Sequence, residues 1–389
     1  MADPAQPAPP ILASNLLAAA KAHANATPTP ASSGSAFIDE QALNGGFRYG
    51  EITSIAGASG TGKALVGLDK ETSLAQADHP SQLTYHALTS HLLCFTTSQV
   101  AIVDTTGAFS PVRLRDVLVY RLEAQYQRQS YQQSGYVYEK RSMSQDRFVE
   151  KAASMLDRVK VMRVFDLAGV IEAVGEVGQM TERASQKSEI KVNSKRHNVG
   201  DSEEESDEDD ENVPPKLASA DRETNVNYET NQIGMIIIDT ISNVVSPLMS
   251  KSQTTGQALL VSFMRNLSHL TTRHHVCTIL TNAAVGLASS SDSSSFKRRP
   301  EDNVSIFSST VGKPALGKTF TYLTDTSIFL SVVPNRMEDA AVAFGDAGSG
   351  TSWRKAIVLE VVKDRCGTRE GRWAAFEIIE EVKIVPCRS

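Results

Sequence analysis

The chain has few cysteines and no long apolar run. Its 389 residues include four cysteines, at 94, 277, 366 and 387, and no Cys-x-x-Cys pair. This spacing predicts no disulfide framework, and we expect reduced thiols in the cytosol or nucleus. No stretch is long and apolar enough to cross a membrane, and the first residues lack the charged and apolar parts of a secretory signal. We therefore expect no membrane association.

Acidic residues are concentrated in one short tract. Nine of the eleven residues from Asp201 to Glu211 are acidic, and they account for more than the whole formal net charge of −6. A tract of this kind repels itself and stays solvated, so it favours disorder. The remainder of the chain is mildly basic, which is compatible with binding to nucleic acid.

Composition predicts four parts along the chain. Residues 1–35 are rich in Pro, Ala, Ser and Thr, and we predict a disordered arm there. Residues 36–184 form the first part of a folded core, residues 185–227 a disordered acidic insert, and residues 228–389 the second part of the core.

Strand-like and helix-like patterns alternate in the folded parts. The run Ile233 to Asp239 is apolar throughout, which is typical of a strand buried on both faces of a parallel sheet. Three further strands are expected near residues 327–333, 355–362 and 373–379. The predicted fold class is α/β, with a central, mostly parallel sheet and helices on both faces.

A glycine-rich run follows the first predicted strand, Glu51 to Ala56. The run is Gly57-Ala58-Ser59-Gly60-Thr61-Gly62-Lys63. In a phosphate-binding loop, glycines let backbone N–H groups surround phosphate oxygens, and the lysine reaches the terminal phosphates. The next position should carry a hydroxyl for Mg²⁺, but here it is Ala64.

Asp239 ends an aliphatic strand, as expected for the second half of a nucleotide site. In this role its carboxylate holds Mg²⁺, directly or through water. An aspartate at a strand end is more often a helix cap, but the phosphate loop upstream favours the functional interpretation. We expect Lys63 and Asp239 to face each other across neighbouring strand ends.

Five stretches in order resemble the RecA-type ATPase core of the eukaryotic recombinases of homologous recombination, and in particular a divergent, fungal-type paralogue. The resemblance covers about residues 43–379. The stretches are Leu43 to Thr53, Val103 to Pro111, Ile238 to Thr240, Leu280 to Asn282, and Lys313 to Phe320. This resemblance implies a RecA-like P-loop NTPase core that uses ATP and Mg²⁺.

Two departures from the family pattern bear on catalysis. The position of Thr106 usually holds the glutamate that orients the attacking water, and the position of Ala283 usually holds a glutamine that senses the terminal phosphate. The resemblance therefore implies nucleotide binding with weak or absent hydrolysis, and no residue is assigned a catalytic role.

Residues 64–88 interrupt the helix expected after the phosphate loop with polar residues and a proline. Joining Lys63 to Thr89 restores the missing hydroxyl and an apolar helix. We hypothesise that residues 64–88 are an insertion, such as an unspliced intron in the gene model, and that Thr89 is the Mg²⁺ ligand. The alternative is a degenerate loop in a paralogue that binds nucleotide poorly.

Two loops of the family contact single-stranded DNA, and the resemblance places them near residues 245–256 and 285–312. The second contains Lys297, Arg298 and Arg299 beside Phe296, a combination that can pair with phosphates and stack on a base. A flexible solvated loop and a short nuclear-import signal are the alternatives.

The sequence leaves three functional hypotheses open. The first is a nuclear, ATP-binding paralogue that acts with the recombinase and other paralogues, mediating or stabilising filaments on single-stranded DNA during double-strand break repair. The second is an active DNA-dependent ATPase with the same core. The third is a scaffold subunit with a vestigial nucleotide site.

Overall fold

The computed structural model describes most of the folded core. The described residues are 12–14, 29–57, 79–133, 144–196, 232–286, 305–307, 312–344, 354–365, 367–379 and 382–387.

Helices and strands alternate through the first two thirds of the described chain, as the sequence predicts. The helices are α1 (Ala36–Ile38, followed by a π-helical turn, Asp39–Leu43), α2 (His79–Cys94), α3 (Pro111–Gln133), α4 (Gln145–Leu156), α5 (Leu167–Arg196), α6 (Ile241–Lys251), α7 (Gln253–Arg273), α8 (Gly317–Leu323) and α9 (Met337–Phe344). The strands are β1 (Ile52–Gly57), β2 (Gln99–Asp104), β3 (Val159–Arg163), β4 (Ile233–Asp239), β5 (Cys277–Gly286), β6 (Gly312–Pro314), β7 (Thr326–Pro334), β8 (Lys355–Asp364), β9 (Trp373–Ile379) and β10 (Lys383–Pro386).

Strands from both predicted parts of the core join one sheet. Its order is β10-β9-β8-β7-β1-β5-β4-β2-β3, with β6 paired to β5. The strands from β3 to β7 in this order run parallel, and β8, β9 and β10 extend the sheet antiparallel. The predicted fold class is confirmed: a mostly parallel central sheet with helices on both faces.

The two faces of the sheet carry separate apolar cores. Successive side chains of β4 alternate between them, so that Met235 and Ile237 join one core while Ile236 and Ile238 join the other. Helices α2 and α3 cover the first face, and α5 to α8 cover the second. A strand covered on both faces needs apolar residues at every position, which explains the continuous run in the sequence. Among the described residues, no helix is both long and apolar enough to cross a bilayer.

The ordered core starts earlier than the predicted boundary at residue 36. Ala31 forms a bridge with Phe47, and its side chain is buried. Asp39 accepts hydrogen bonds from the Ser32 hydroxyl at 2.5 Å and from the Ser33 backbone N–H at 2.9 Å. These local hydrogen bonds fix a Ser-rich segment whose composition alone suggests disorder.

The helix before the acidic tract also extends beyond its predicted limit. We placed the start of the insert at residue 185, but α5 continues to Arg196. The tract itself, Asp201 to Glu211, lies outside the described residues.

Candidate nucleotide-binding site

Four parallel strands end together at the edge of the sheet where the phosphate loop begins. Gly57, the last residue of β1, is level with Ala283 of β5. Two residues back along β5, Thr281 lies level with the end of β4, and Asp239 there pairs with Asp104 of β2. In open α/β sheets, ligands bind outside such carboxyl ends.

The strand order corrects one expectation about this edge. We expected the phosphate loop and Asp239 on neighbouring strand ends, but β5 lies between β1 and β4. At about 4.8 Å per strand spacing, the two strand ends are about 10 Å apart. This leaves β5 to contribute side chains between them.

Asp239 is held by two hydroxyl groups. Its Oδ1 accepts hydrogen bonds from Thr281 Oγ1 at 2.5 Å and Thr240 Oγ1 at 2.8 Å, and the two hydroxyl oxygens are 3.0 Å apart. The Thr105 hydroxyl, which accepts from the Thr240 N–H at 2.9 Å, joins the end of β2 to the end of β4. The carboxylate is therefore oriented by its surroundings rather than free to rotate.

Thr106 and Ala283 are the residues that the family resemblance assigns to the catalytic and sensor positions. The Thr106 hydroxyl donates to Asp104 Oδ1 at 3.1 Å and accepts from the Ala108 N–H at 3.2 Å. Ala283 offers a methyl group beside Gly57, and its N–H donates to Ser242 Oγ. Neither side chain can accept a proton from water at neutral pH.

Asp104 caps the turn that follows β2. It is fully buried, and its oxygens accept backbone N–H groups from Thr106, Gly107 and Phe109 at 2.8–3.2 Å. These bonds fix the turn between β2 and α3. Its remaining contact is to Arg163 Nε at 3.8 Å.

Tyr85 shows that α2 lies over this edge of the sheet. Its hydroxyl accepts the Ser110 N–H at 2.9 Å, and its ring stacks on Phe109 with centroids 5.5 Å apart. Burial raises the pKa of the Tyr85 hydroxyl, and the negative charges of Asp239 and Asp104 add to this shift. The N-terminal half of α2 is therefore close to both carboxylates.

Thr89, the predicted Mg²⁺ ligand, lies outside the first turn of α2. It is fully buried in the middle of α2, and its hydroxyl has no partner among the described residues. Helix α2 begins at His79, so the hydroxyl residue in its first turn is Ser81. At a rise of about 1.5 Å per residue, Thr89 lies about 12 Å along the helix axis from Ser81.

The sequence contained a signal for the true start of this helix. Leu83, Ala87, Leu88 and Leu92 are spaced for one helical face, and all are buried in the core. We took the polar residues 78–81 as a break, but proline is tolerated in the first turn of a helix, and Pro80 is the second residue of α2.

Several predicted site residues lie outside the described residues. These are Ala58, Ser59, Gly60, Thr61, Gly62, Lys63 and Ala64 of the phosphate loop, and Lys297, Arg298 and Arg299. Gly57, Thr89, Thr106, Asp239 and Ala283 are described, and all but Thr89 meet at the same edge of the sheet.

The first predicted DNA-contacting loop, near residues 245–256, is helical instead. Helix α6 continues to Lys251, and α7 starts at Gln253, with the Ser252 hydroxyl accepting the Thr255 N–H as an N-cap. Pro247 lies inside α6. The family resemblance placed a loop across this range, whereas the structure confines the break between the two helices to Ser252.

Comparison with known proteins gives one distant relative in sequence. No protein-family model matches the chain. The Mus musculus protein named DNA repair protein RAD51 homolog 4 is 23% identical over 297 residues, which are 75% of this chain and 58% of the relative. The chain thus spans less than two thirds of the length of the relative it matches.

A crystal structure of the RadB recombinase is similar in shape over 91% of this chain and 98% of the other, with 15% identity and a TM-score of 0.45. A score of this size adds nothing to the fold assignment, which depends on the strand order and direction given above.

Proposed function

We propose that this chain is an ATP-binding paralogue of the RecA-like recombinases that acts in homologous recombination. In this proposal it mediates or stabilises recombinase filaments on single-stranded DNA during double-strand break repair, in the nucleus, together with the recombinase and other paralogues. The distant similarity to a DNA repair protein supports a role in recombination and repair.

The observation that carries the proposal is the arrangement of Asp239 and Thr281 beside the strand that enters the phosphate loop. An oriented carboxylate, a bridging hydroxyl and the start of a glycine-rich loop meet at one edge of a parallel sheet. Carboxylate and hydroxyl oxygens are the ligands that Mg²⁺ prefers, and it is usually bound through one or two carboxylates plus phosphates. Bound Mg²⁺ would neutralise charge on the phosphates, and Lys63 would contribute a second positive charge there.

The position of α2 changes the proposed limits of the insertion. We propose that residues 64–80 interrupt the phosphate loop and that Ser81 replaces Thr89 as the Mg²⁺ ligand. Joining Lys63 to Ser81 gives Gly-Ala-Ser-Gly-Thr-Gly-Lys-Ser, a complete phosphate-loop motif, directly before the apolar residues that anchor α2. It also retains Leu83, Ala87 and Leu88, which the earlier limit at residue 88 would remove from the core.

Hydrolysis is proposed to be weak or absent. The hydroxyl of Thr106 is engaged in a turn, and Asp104 is fully buried and bonded to backbone N–H groups. General-base catalysis needs a proton acceptor within reach of water, whereas Thr106 offers only a hydroxyl and both oxygens of Asp104 accept backbone N–H groups. ATP turnover at recombinase-like rates would favour the second hypothesis, the DNA-dependent ATPase.

Binding of a fluorescent ATP analogue tests the proposal and separates it from the scaffold hypothesis. In protein lacking residues 64–80, we expect Mg²⁺-dependent binding that Lys63→Ala and Ser81→Ala both weaken. Thr89→Val is the matched control, because it removes a hydroxyl on the same face of α2 without touching the first turn. Binding that is absent, or that does not depend on Lys63, would leave only the scaffold.

DNA binding requires a separate test. Replacing Lys297, Arg298 and Arg299 by alanine should weaken binding to single-stranded DNA and reduce its dependence on salt, because fewer phosphate counterions are released. If the affinity for single-stranded DNA and its salt dependence are unchanged, these three residues do not contribute to DNA binding. Nuclear-import assays on the same variant would test the alternative, a nuclear-import signal.

A further inference from the structure

A buried carboxylate lies in the antiparallel half of the sheet, on strands separate from the nucleotide site. Glu360, in the middle of β8, is 2% exposed. Its strand neighbours are Phe329 of β7 and Trp373 of β9. A carboxylate buried in a sheet is costly unless hydrogen bonds satisfy its oxygens.

Both oxygens of Glu360 are satisfied by one short segment, Ser305-Ile306-Phe307. The Ser305 hydroxyl donates to Oε2 at 2.5 Å, and the Ile306 N–H donates to Oε1 at 2.7 Å. The Phe307 N–H donates back to the Ser305 hydroxyl at 3.0 Å, which closes a tight turn over the carboxylate. Hydrogen bonds to an ionised acceptor are stronger than those between neutral groups.

An aromatic contact adds to these hydrogen bonds. The Phe307 ring meets the Trp373 ring edge to face, with centroids 5.4 Å apart and planes at 82°. Ring pairs in this geometry attract each other beyond the apolar area they bury. Trp373 is still 45% exposed, so the contact forms at the surface of the sheet.

We propose that Glu360 and Trp373 form a docking site for the chain's own Ser305–Phe307 segment. The segment belongs to the connection between β5 and β6, whose ends are Gly286 and Gly312. Docking therefore ties this connection to β8 and β9 at a point between its two ends, and the loss of closure entropy is smaller for a short chain segment than for a long one. The end of β5, which carries Thr281, is thereby linked to the C-terminal strands, and the inference holds whether or not the chain binds nucleotide.

Tryptophan fluorescence can report docking directly. The chain has two tryptophans, and Trp353→Phe leaves Trp373 as the single emitter. In this background we expect Ser305→Ala and Phe307→Ala to shift the emission to longer wavelength and to increase quenching by acrylamide. Ser305 bonds to Glu360 rather than to the indole of Trp373. A change in Trp373 emission caused by Ser305→Ala would therefore report undocking of the segment and not the loss of a direct contact with the indole.

Glu377→Gln is the matched control. Glu377 lies on β9 and accepts a hydrogen bond from Asn335 at 2.7 Å, so its substitution changes a carboxylate of the same sheet without touching the segment. Its emission should equal that of the parent. Hydrogen exchange on the unmodified protein gives a second readout, with protection expected at the Ile306 and Phe307 amides. Parent-like fluorescence in both segment variants, or unprotected amides, would overturn the proposal.

Discussion

Replacing Arg369 by methionine tests how the strand that enters the phosphate loop is held in the sheet. Arg369 is 2% exposed and bonds Asp364 through Nε at 2.7 Å, Nη2 at 2.9 Å and its backbone N–H at 3.0 Å. The same guanidinium contacts Thr326 at 2.7 Å and Glu51 at 3.3 Å. It therefore joins β8 to the starts of β1 and β7.

The substitution removes the cation that hydrogen-bonds to Asp364 and leaves this buried carboxylate with only the favourable charge of Arg48. Breaking a buried pair by removing one partner typically costs about 3–5 kcal/mol of unfolding free energy. Arg365→Met is the control, because Arg365 lies 3.8 Å from Asp325 and is 62% exposed, and an exposed pair contributes about 0–1 kcal/mol. Urea denaturation followed by circular dichroism at neutral pH measures both values.

The pH dependence of the difference in unfolding free energy between wild type and Arg369→Met gives a second check. Burial alone raises the pKa of the Asp364 carboxyl, but the hydrogen bonds and charge of Arg369 outweigh it and hold the pKa below its ordinary value of 3.8. This stabilisation is present above about pH 4 and is lost as the pH falls through the folded-state pKa. The gap between wild type and Arg369→Met should therefore narrow in acid. Equal destabilisation by the two arginine substitutions, or a gap that widens in acid, would refute the reasoning.

Three further predictions concern other parts of the fold. Burial, with a contribution from Arg158, lowers the pKa of His91 to about 3, so the unfolded chain binds a proton below pH 6.5 that the folded chain does not. Between pH 7 and pH 5, the unfolding free energy of the wild type should therefore fall by about 2 kcal/mol more than that of His91→Gln, as measured by denaturant titration. A difference in unfolding free energy that stays the same at both pH values would contradict this. Thr281→Val should weaken Mg²⁺-dependent binding of an ATP analogue about tenfold, because Asp239 loses a hydrogen-bond donor. Unchanged affinity would contradict the proposed role of Asp239 in binding Mg²⁺. Gly46→Ala should destabilise the fold by about 1–3 kcal/mol, because the backbone φ of Gly46 is +125° and a Cβ there would overlap the Ala31 carbonyl oxygen. Gly175→Ala should instead stabilise the fold by about 0.5–1 kcal/mol, because Gly175 lies inside α5 with open space around it. Thermal unfolding measures both changes.

Periodicity alone predicted the sheet and most of its strands. The run Ile233 to Asp239 forms β4, and the three strands expected in the last third of the chain are β7, β8 and β9. Apolar periodicity is local and depends on burial, so it can be read without knowing which strands pair. The limits of α2 were less accurate, because a proline and polar residues are compatible with both a helix start and a loop.

The partners of buried polar residues could not be predicted in the same way. Arg365 and Arg369 lie in one short charged segment, yet Arg369 is buried against Asp364 while Arg365 is exposed. Glu360 and Ser305 are 55 residues apart in sequence and form a hydrogen bond. Such contacts depend on which chain segments meet in space, and no local pattern records this.

The sequence by itself determined the fold class, which follows from short patterns of residue type, and it predicts a phosphate-binding loop after β1. Only the tertiary structure decided that β5 lies between β1 and β4, that Thr281 orients Asp239, and that α2 begins at His79 and carries Thr89 in its middle. The reason is that strand order and helix register are set by long-range packing of the two apolar cores, to which residues distant in the chain contribute together.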